Sequence, residues 1–213
     1  KSIMEDKVEF RLPFGFLSRP FYGLAKKEFN RMFNYRHRVL KYDLEHHVDK
    51  SSKKKILISG ASGTIGSSLV PFLRTCGHDV IRLVRKKENL LRDEFYWDPY
   101  KDILDLEKLG PIDAVINLNG VDISRGRWTK KQKQMIVDSR VLPTRLLVKK
   151  MKALEHKPGV FISSSAIGFY GQKQDMTLNE SSDVGDCFIS RVCRRWENAS
   201  MDAQKVGIRT IQL

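Results

Sequence analysis

The chain has 213 residues, of which 41% are hydrophobic, and a formal net charge of +14 at pH 7. This is enough apolar material for one full hydrophobic core, while no apolar run approaches the roughly 18 residues that a membrane-spanning helix needs. The positive charge is spread along the chain without a base-reading motif, so we expect a charged, solvated surface and no nucleic-acid partner.

The cysteines and the chain ends predict the compartment of the protein and whether its sequence is complete. Cys76, Cys187 and Cys193 show no metal-ligand spacing, which argues against a metal site and for free thiols in the cytoplasm or another reducing compartment. The sequence begins with Lys1 and stops at Leu213 inside a predicted strand, so we expect a fragment of a longer protein.

The first 47 residues predict a strand followed by a long basic helix. Apolar and polar residues alternate over 7–12, and an imperfect amphipathic stripe runs from about Pro20 to Leu44. The helix could lie on a membrane surface or pack on a sheet outside this sequence, and we favour the second interpretation. The polar segment 48–54 is predicted to be a linker, which separates residues 1–47 from a second domain at 55–213.

A glycine-rich turn connects the next predicted strand to a helix. Its pattern is Gly60-x-x-Gly63-x-x-Gly66, preceded by the apolar run 56–58. The first glycine allows a tight turn, the second lets backbone N–H groups approach a pyrophosphate, and the third lets the helix pack close to the strand. The helix N-terminus adds partial positive charge. The pattern predicts a dinucleotide site formed by Gly60, Ser62, Gly63, Thr64, Ile65 and Gly66.

The end of the second predicted strand, over 80–84, bears on the choice of cofactor. Folds that prefer NAD place an acid about 20 residues past the glycines, whereas an Arg accommodates the 2′-phosphate of NADP. Arg85 stands at this distance from Gly66, and no acid does. We therefore predict NADP(H), bound in part by Arg85. The alternative is that Arg85 and its two lysine neighbours are only a basic loop.

The remaining pattern alternates strands with helices. Further strands are predicted at 95–97, 114–118, 160–163 and from 208 onward, and helices at about 129–138, from Leu142 to Met151, and at about 186–204. Such alternation specifies an α/β fold with a doubly wound parallel sheet. Because these sheets bind ligands at the carboxyl ends of their strands, the candidate cofactor site also includes Leu118, Asn119, Gly120 and Ser163.

Several segments in order carry a family resemblance over about residues 54–213. They include the glycine turn, Asn117-Leu118-Asn119-Gly120, Ser163-Ser164-Ser165-Ala166 with Tyr170-Gly171, Trp97-Asp98-Pro99 and Arg127-Trp128-Thr129. Together they resemble the extended short-chain dehydrogenase/reductases, closest to the NAD-dependent epimerase/dehydratase subgroup of cell-division-inhibitor-like epimerase family proteins. The resemblance implies a Rossmann domain, incomplete on its C-terminal side, and a small or nucleotide-linked substrate.

The front of the chain carries a second resemblance. Residues 8–15 and 33–38 are similar to the last strand and long helix of a START-like (polyketide-cyclase-type) domain. This implies that residues 1–47 are the C-terminal remnant of a ligand-binding domain, whose missing part could hold a lipid or another apolar ligand.

The catalytic residues that the family resemblance implies are only partly present. Enzymes of this class use a Ser to polarise the carbonyl and a Tyr-x-x-x-Lys pair to move the proton. Ser165 fits the Ser position, but counting back from Glu197 puts Ile189 at the Tyr position and Cys193 at the Lys position. Tyr170 is a substitute candidate for the acid, or it packs on the cofactor loop.

Two functions therefore stay open. The first is an NADP(H)-dependent oxidoreductase or epimerase that acts through Ser165 and Tyr170. The second is a non-catalytic sensor or scaffold that binds NADP(H).

Overall fold

The computed structural model describes residues 7–13, 20–45, 53–124 and 126–213, and the chain divides into two compact units, Lys1–His47 and Val48–Leu213. The first unit contains helix α1 (Tyr22–Glu45), as expected, and the ring of Phe10 lies 4.4 Å from that of Phe29. The predicted strand over 7–12 is not formed, because a strand needs a neighbour for its backbone hydrogen bonds and the described residues of this unit supply none. The START-like interpretation stays a prediction.

The second unit is built on a parallel sheet of six strands, whose order across the sheet, numbered by position in the chain, is 3-2-1-4-5-6. This confirms the doubly wound α/β prediction. None of the described helices is long and apolar enough to span a bilayer. The strands are β1 (Lys55–Ser59), β2 (Asp79–Val84), β3 (Glu94–Tyr96), β4 (Ala114–Asn117), β5 (Val160–Ser163) and β6 (Arg209–Gln212), and the helices are α2 (Thr64–Thr75), α3 (Lys130–Ala153) and α4 (Phe188–Met201).

Helices cover the sheet because successive side chains of its strands point to opposite faces. In β1, Leu57 packs with Leu147 and Met151 of α3 on one face, while Ile58 packs with Val70 of α2 on the other. Fully burying an aliphatic side chain contributes about 1.5–3 kcal/mol. The two apolar layers hold the carboxyl ends of β1 and β4 side by side, at the point where the strand order reverses.

Helix α3 differs from the prediction of two shorter helices, since it runs without a break from Lys130 to Ala153. Pro143 lies inside it and cannot donate to the carbonyl of Ser139. The following turn is reinforced by Thr144, whose hydroxyl donates to the carbonyl of Arg140 at 2.7 Å. Thr129 caps the N-terminus by accepting from the Gln132 N–H, and burial of one whole face offsets the cost of the proline.

Candidate functional site

The close backbone packing of the turn between β1 and α2 requires glycine at its first and third glycine positions. Gly60 has φ of 76°, and a Cβ on it would lie 2.6 Å from the carbonyl oxygen of Leu118. A Cβ on Gly66 would lie 2.5 Å from the carbonyl oxygen of Gly60. Gly63 stands at the N-cap of α2 and supplies no side-chain cap, so the N–H groups of the first helical turn have no acceptor among the described residues. This turn is a ready cradle for an anion.

A cavity of about 560 Å³ opens above this turn, at the carboxyl ends of the central strands. Its size is within the range of ligand sites, and it lies at the switch point of the sheet, where doubly wound folds bind ligands. The predicted site residues that line it are Gly60, Ser62, Gly63, Arg85, Leu118, Asn119 and Gly120. Thr64, Ile65 and Gly66 adjoin it in the first turn of α2.

Among the described basic residues that line the cavity at the end of β2, Arg85 is the one that makes no ion pair. Lys86 Nζ lies 2.7 Å from one Glu94 carboxylate oxygen, and Arg82 Nη2 lies 3.2 Å from the other. The hydrogen bond from Lys86 is the largest cause that lowers the pKa of Glu94. Arg85 is exposed and makes no hydrogen bond or ion pair with any residue the structure describes. An anionic ligand in the cavity would meet this guanidinium.

Glu94 is the site residue that sequence reasoning missed. No local signal identifies it, because it comes from β3 and reaches the cavity only through the register that pairs Arg82 with Glu94. The end of β2 thus carries Arg85 rather than an acid in the sequence, while the carboxylate of Glu94 reaches the same strand end in space. Two cations already neutralise this carboxylate, so the site has no free acid to bind a ribose hydroxyl among its described residues.

A buried polar network forms the floor of the cavity. Asn117 is fully buried; its Oδ1 accepts from the Ser59 hydroxyl at 2.9 Å and from Asn119 Nδ2 at 2.7 Å. Its own Nδ2 donates to Thr144 Oγ1 at 2.7 Å. Ser163 is only 1% exposed, and its hydroxyl faces Asn117 at 3.4 Å. Ser163 therefore lies beneath the cavity, and its side chain would reach a ligand only if this network opened.

The predicted catalytic residues lie outside the cavity lining, near α4. The Ser165 hydroxyl donates to the Glu197 carboxylate, so it must leave that acceptor before it can donate to a substrate carbonyl. The ring of Tyr170 packs edge-on against Phe169 at 5.3 Å, and its hydroxyl makes no hydrogen bond with a described residue. Among the described residues, the Tyr170 hydroxyl therefore has no hydrogen-bond partner, whereas the Ser165 hydroxyl is bound to a carboxylate.

The face of α4 that would carry the Tyr and Lys is apolar and tightly packed. Ile189 contacts the short turn Ile167–Tyr170, and a Cβ on Gly168 would lie 2.3 Å from Ile189 Cγ2. Cys193 is buried one helical turn further along. Burial raises the pKa of its thiol, which disfavours the thiolate. Neither side chain can take over proton transfer.

Residues 56–210 match the model of the NAD dependent epimerase/dehydratase family. The chain belongs to this family. It is 37% identical over 163 residues to an epimerase family protein of Mycobacterium leprae, covering 76% of this chain and 52% of that protein. It therefore spans about half the length of the curated relatives it matches. The match confirms the resemblance to short-chain dehydrogenase/reductases that the sequence motifs carry.

Solved structures agree with this placement. The nucleoside-diphosphate sugar epimerase of Corynebacterium glutamicum superposes with a TM-score of 0.70 at 34% identity, over 85% of this chain and 39% of that one. Human epimerase family protein SDR39U1, solved with NADPH, superposes with a TM-score of 0.62 at 25% identity, over 74% of this chain and 52% of that one.

Proposed function

We propose that this chain binds NADP(H) in the cavity above the glycine turn, as part of an oxidoreductase or epimerase that acts on a small or nucleotide-linked substrate. The observation that carries the proposal is Arg85, an exposed cation without a protein partner among the described residues, at the edge of a cavity built on Gly60 and Gly63. The human relative that was solved with NADPH supports the same choice of cofactor.

The residues present fit such a cofactor. The turn from Gly60 to Gly63 and the N-terminus of α2 would hold the pyrophosphate, and Arg85 would hold the 2′-phosphate. Leu118, Asn119 and Gly120 would form the wall that follows β4. When bound, the nicotinamide supplies or accepts a hydride.

In the catalytic form of the proposal, this chain contributes proton transfer and orientation. The Tyr170 phenol, which no described residue engages, would give a proton to the substrate oxygen or take one from it. Ser165 would fix that oxygen after its hydroxyl turns away from Glu197. Both side chains come from the segment after β5, on the side of the switch point where we expect the nicotinamide, which supports this assignment.

A second candidate function is a non-catalytic NADP(H) sensor or scaffold. The observation that favours it is the packing of Ile189 against Gly168 and the burial of Cys193, where the family's Tyr and Lys would stand. NADPH oxidation by the full-length protein against a panel of carbonyl substrates separates the two candidates. Turnover that is lost in Tyr170→Phe supports catalysis, whereas the absence of turnover with tight binding supports the sensor.

Cofactor preference is tested by titrating the full-length protein with NADPH and NADH and following nicotinamide fluorescence. We expect tighter binding of NADPH, and we expect Arg85→Asp to reverse the preference because it replaces the phosphate partner with an acid. Lys157→Asp makes the same charge change in the exposed loop before β5, at the amino-terminal ends of the strands and thus away from the cavity, and should leave the preference unchanged. Equal affinities of the unmodified protein for the two cofactors would refute the assignment of Arg85.

A further inference from the structure

Arg140 of α3 is a half-buried cation that no carboxylate compensates. Its Nη1 donates to the carbonyl of Ile136 at 3.1 Å and to the Ser139 hydroxyl at 3.3 Å. Its Nη2 donates to the carbonyl of Val121 at 3.1 Å. Within the part of the chain that the structure describes, no carboxylate oxygen lies within 4 Å of the guanidinium, and its Nε–H has no acceptor.

The surroundings of this guanidinium keep it in place. It stacks over the ring of Trp196, 5.4 Å from the ring centroid, and lies within electrostatic range of Cys193. It also rests against the bare Cα of Gly120, where a Cβ would come within 3.1 Å of the guanidinium carbon. Burial lowers the pKa of Arg140, which reports the cost of holding its charge away from water. A cation held at such a cost without an acid is a candidate for function.

The position of Arg140 in the fold assigns it to one half of a bound dinucleotide. Doubly wound sheets bind the two halves of the cofactor on either side of the switch point. Arg85 follows β2 and marks the adenosine half. Val121 and Ser139, which Arg140 contacts, line the same cavity on the β4 side, which is the nicotinamide half.

We propose that Arg140 is the cation of the nicotinamide half of the site, supplying from α3 the positive charge that a lysine at the position of Cys193 would supply from α4. This rests on the proposed NADP(H) function. The oxidised nicotinamide ring carries a positive charge and the reduced ring does not. A fixed cation nearby therefore disfavours bound NADP⁺ relative to bound NADPH, and makes the site selective for the reduced cofactor.

The test compares the ratio of the dissociation constants of NADP⁺ and NADPH in the full-length protein and its variants. NADPH binding is followed by nicotinamide fluorescence, and NADP⁺ binding by displacement of NADPH. A tenfold change in affinity corresponds to about 1.4 kcal/mol. We expect the ratio to fall about tenfold in Arg140→Met and to be retained in Arg140→Lys.

Arg145→Met is the matched control, because it removes an exposed cation from another face of the same helix. It should leave the ratio unchanged. An unchanged ratio in Arg140→Met overturns the proposal, as does an equal loss of both affinities, which would mean that Arg140 only supports the Gly120–Val121 wall. If the unmodified protein binds neither form, the proposed NADP(H) function itself fails, which is a distinguishable result.

A second variant keeps the test decisive if Arg140→Met does not fold. Cys193→Asp adds a negative charge within electrostatic range of the guanidinium, which offsets its positive charge, and should lower the ratio in the same direction. Cys193→Ser changes the same side chain without adding a charge and should preserve the ratio. Equal ratios in the Asp and Ser variants would overturn the proposal without any change at Arg140.

Discussion

Gly66 offers a sharp test of how the β1–α2 turn is built. It is buried in the first turn of α2, and a Cβ there would lie 2.5 Å from the carbonyl oxygen of Gly60 and 2.6 Å from the Cα of Ala61. Ordinary contact begins at 3.4 Å. The Gly66→Ala variant must therefore move the helix and the turn apart by nearly one ångström, since both obstacles are backbone atoms that cannot rotate away.

Two terms of opposite sign set the expected change in stability. Replacing a helical Gly by Ala favours the helix by about 1 kcal/mol. Overpacking against a rigid neighbour costs about 1–3 kcal/mol, and backbone neighbours put this site at the upper end. We expect Gly66→Ala to lower the free energy of unfolding by about 1–2 kcal/mol. The displaced N–H groups should also weaken NADPH binding by at least tenfold, which is about 1.4 kcal/mol.

Gly63→Ala is the matched control because the Cβ that it adds meets its nearest obstacle, the carbonyl oxygen of Gly60, only at 3.4 Å. It should cost less than about 1 kcal/mol, the typical price of Ala at an N-cap. Urea unfolding measures the stability of both variants, and nicotinamide fluorescence measures their NADPH affinity. If Gly66→Ala is more stable than the unmodified protein and binds NADPH equally well, the close-packing argument is wrong.

Three further predictions concern the buried network around Asn117, the ion pair of Asp93 with Arg82, and the packing of Ile189 in α4. Asn117→Leu should lower the free energy of unfolding by about 2–3 kcal/mol in urea, because buried hydroxyls lose their partner. The carboxylate of Asp93, which precedes β3, accepts from Arg82 Nε at 2.6 Å and from Arg82 Nη2 at 3.0 Å. Asp93→Asn should therefore cost roughly 1 kcal/mol at pH 7. Since Arg82 holds the pKa of Asp93 well below its usual range, this difference should persist down to about pH 4 and shrink below it in acid titrations. Gly168→Ala should destabilise the protein, and a double-mutant cycle with Ile189→Ala should show coupling above about 0.5 kcal/mol.

The parts of the fold that sequence predicted are those that depend on local pattern. The apolar run before Gly60 and the glycine spacing after it specify a strand, a turn and a helix within about 20 residues. The alternation of such units then specifies a parallel sheet, because each crossover helix carries the chain from the carboxyl end of one strand back to the amino end of the next. The polar and charged residues that directly follow the strands, including Asn119 and Arg85, can likewise be identified from the sequence.

The errors concern interactions between distant segments. The strand predicted over 7–12 has the right alternation, but alternation does not supply a neighbour. Pro143 is typical of a helix boundary, yet burial of one face of α3 carries the helix through it. Glu94 reaches the cavity because β3 pairs with β2. The hydrogen bond from Asn117 holds the Ser163 hydroxyl in the buried network beneath the cavity. None of these outcomes follows from residues close in sequence.

Arg140 bears on the choice between catalysis and a passive role. A scaffold that only needs a bound nucleotide can obtain its affinity from the glycine turn and Arg85, and gains nothing from a buried charge in the other half of the site. Both an oxidoreductase and a redox sensor, in contrast, must distinguish NADPH from NADP⁺. If Arg140 makes that distinction as proposed, the scaffold is the one of these three roles that does not need it. The Tyr170→Phe variant then separates the oxidoreductase from the redox sensor.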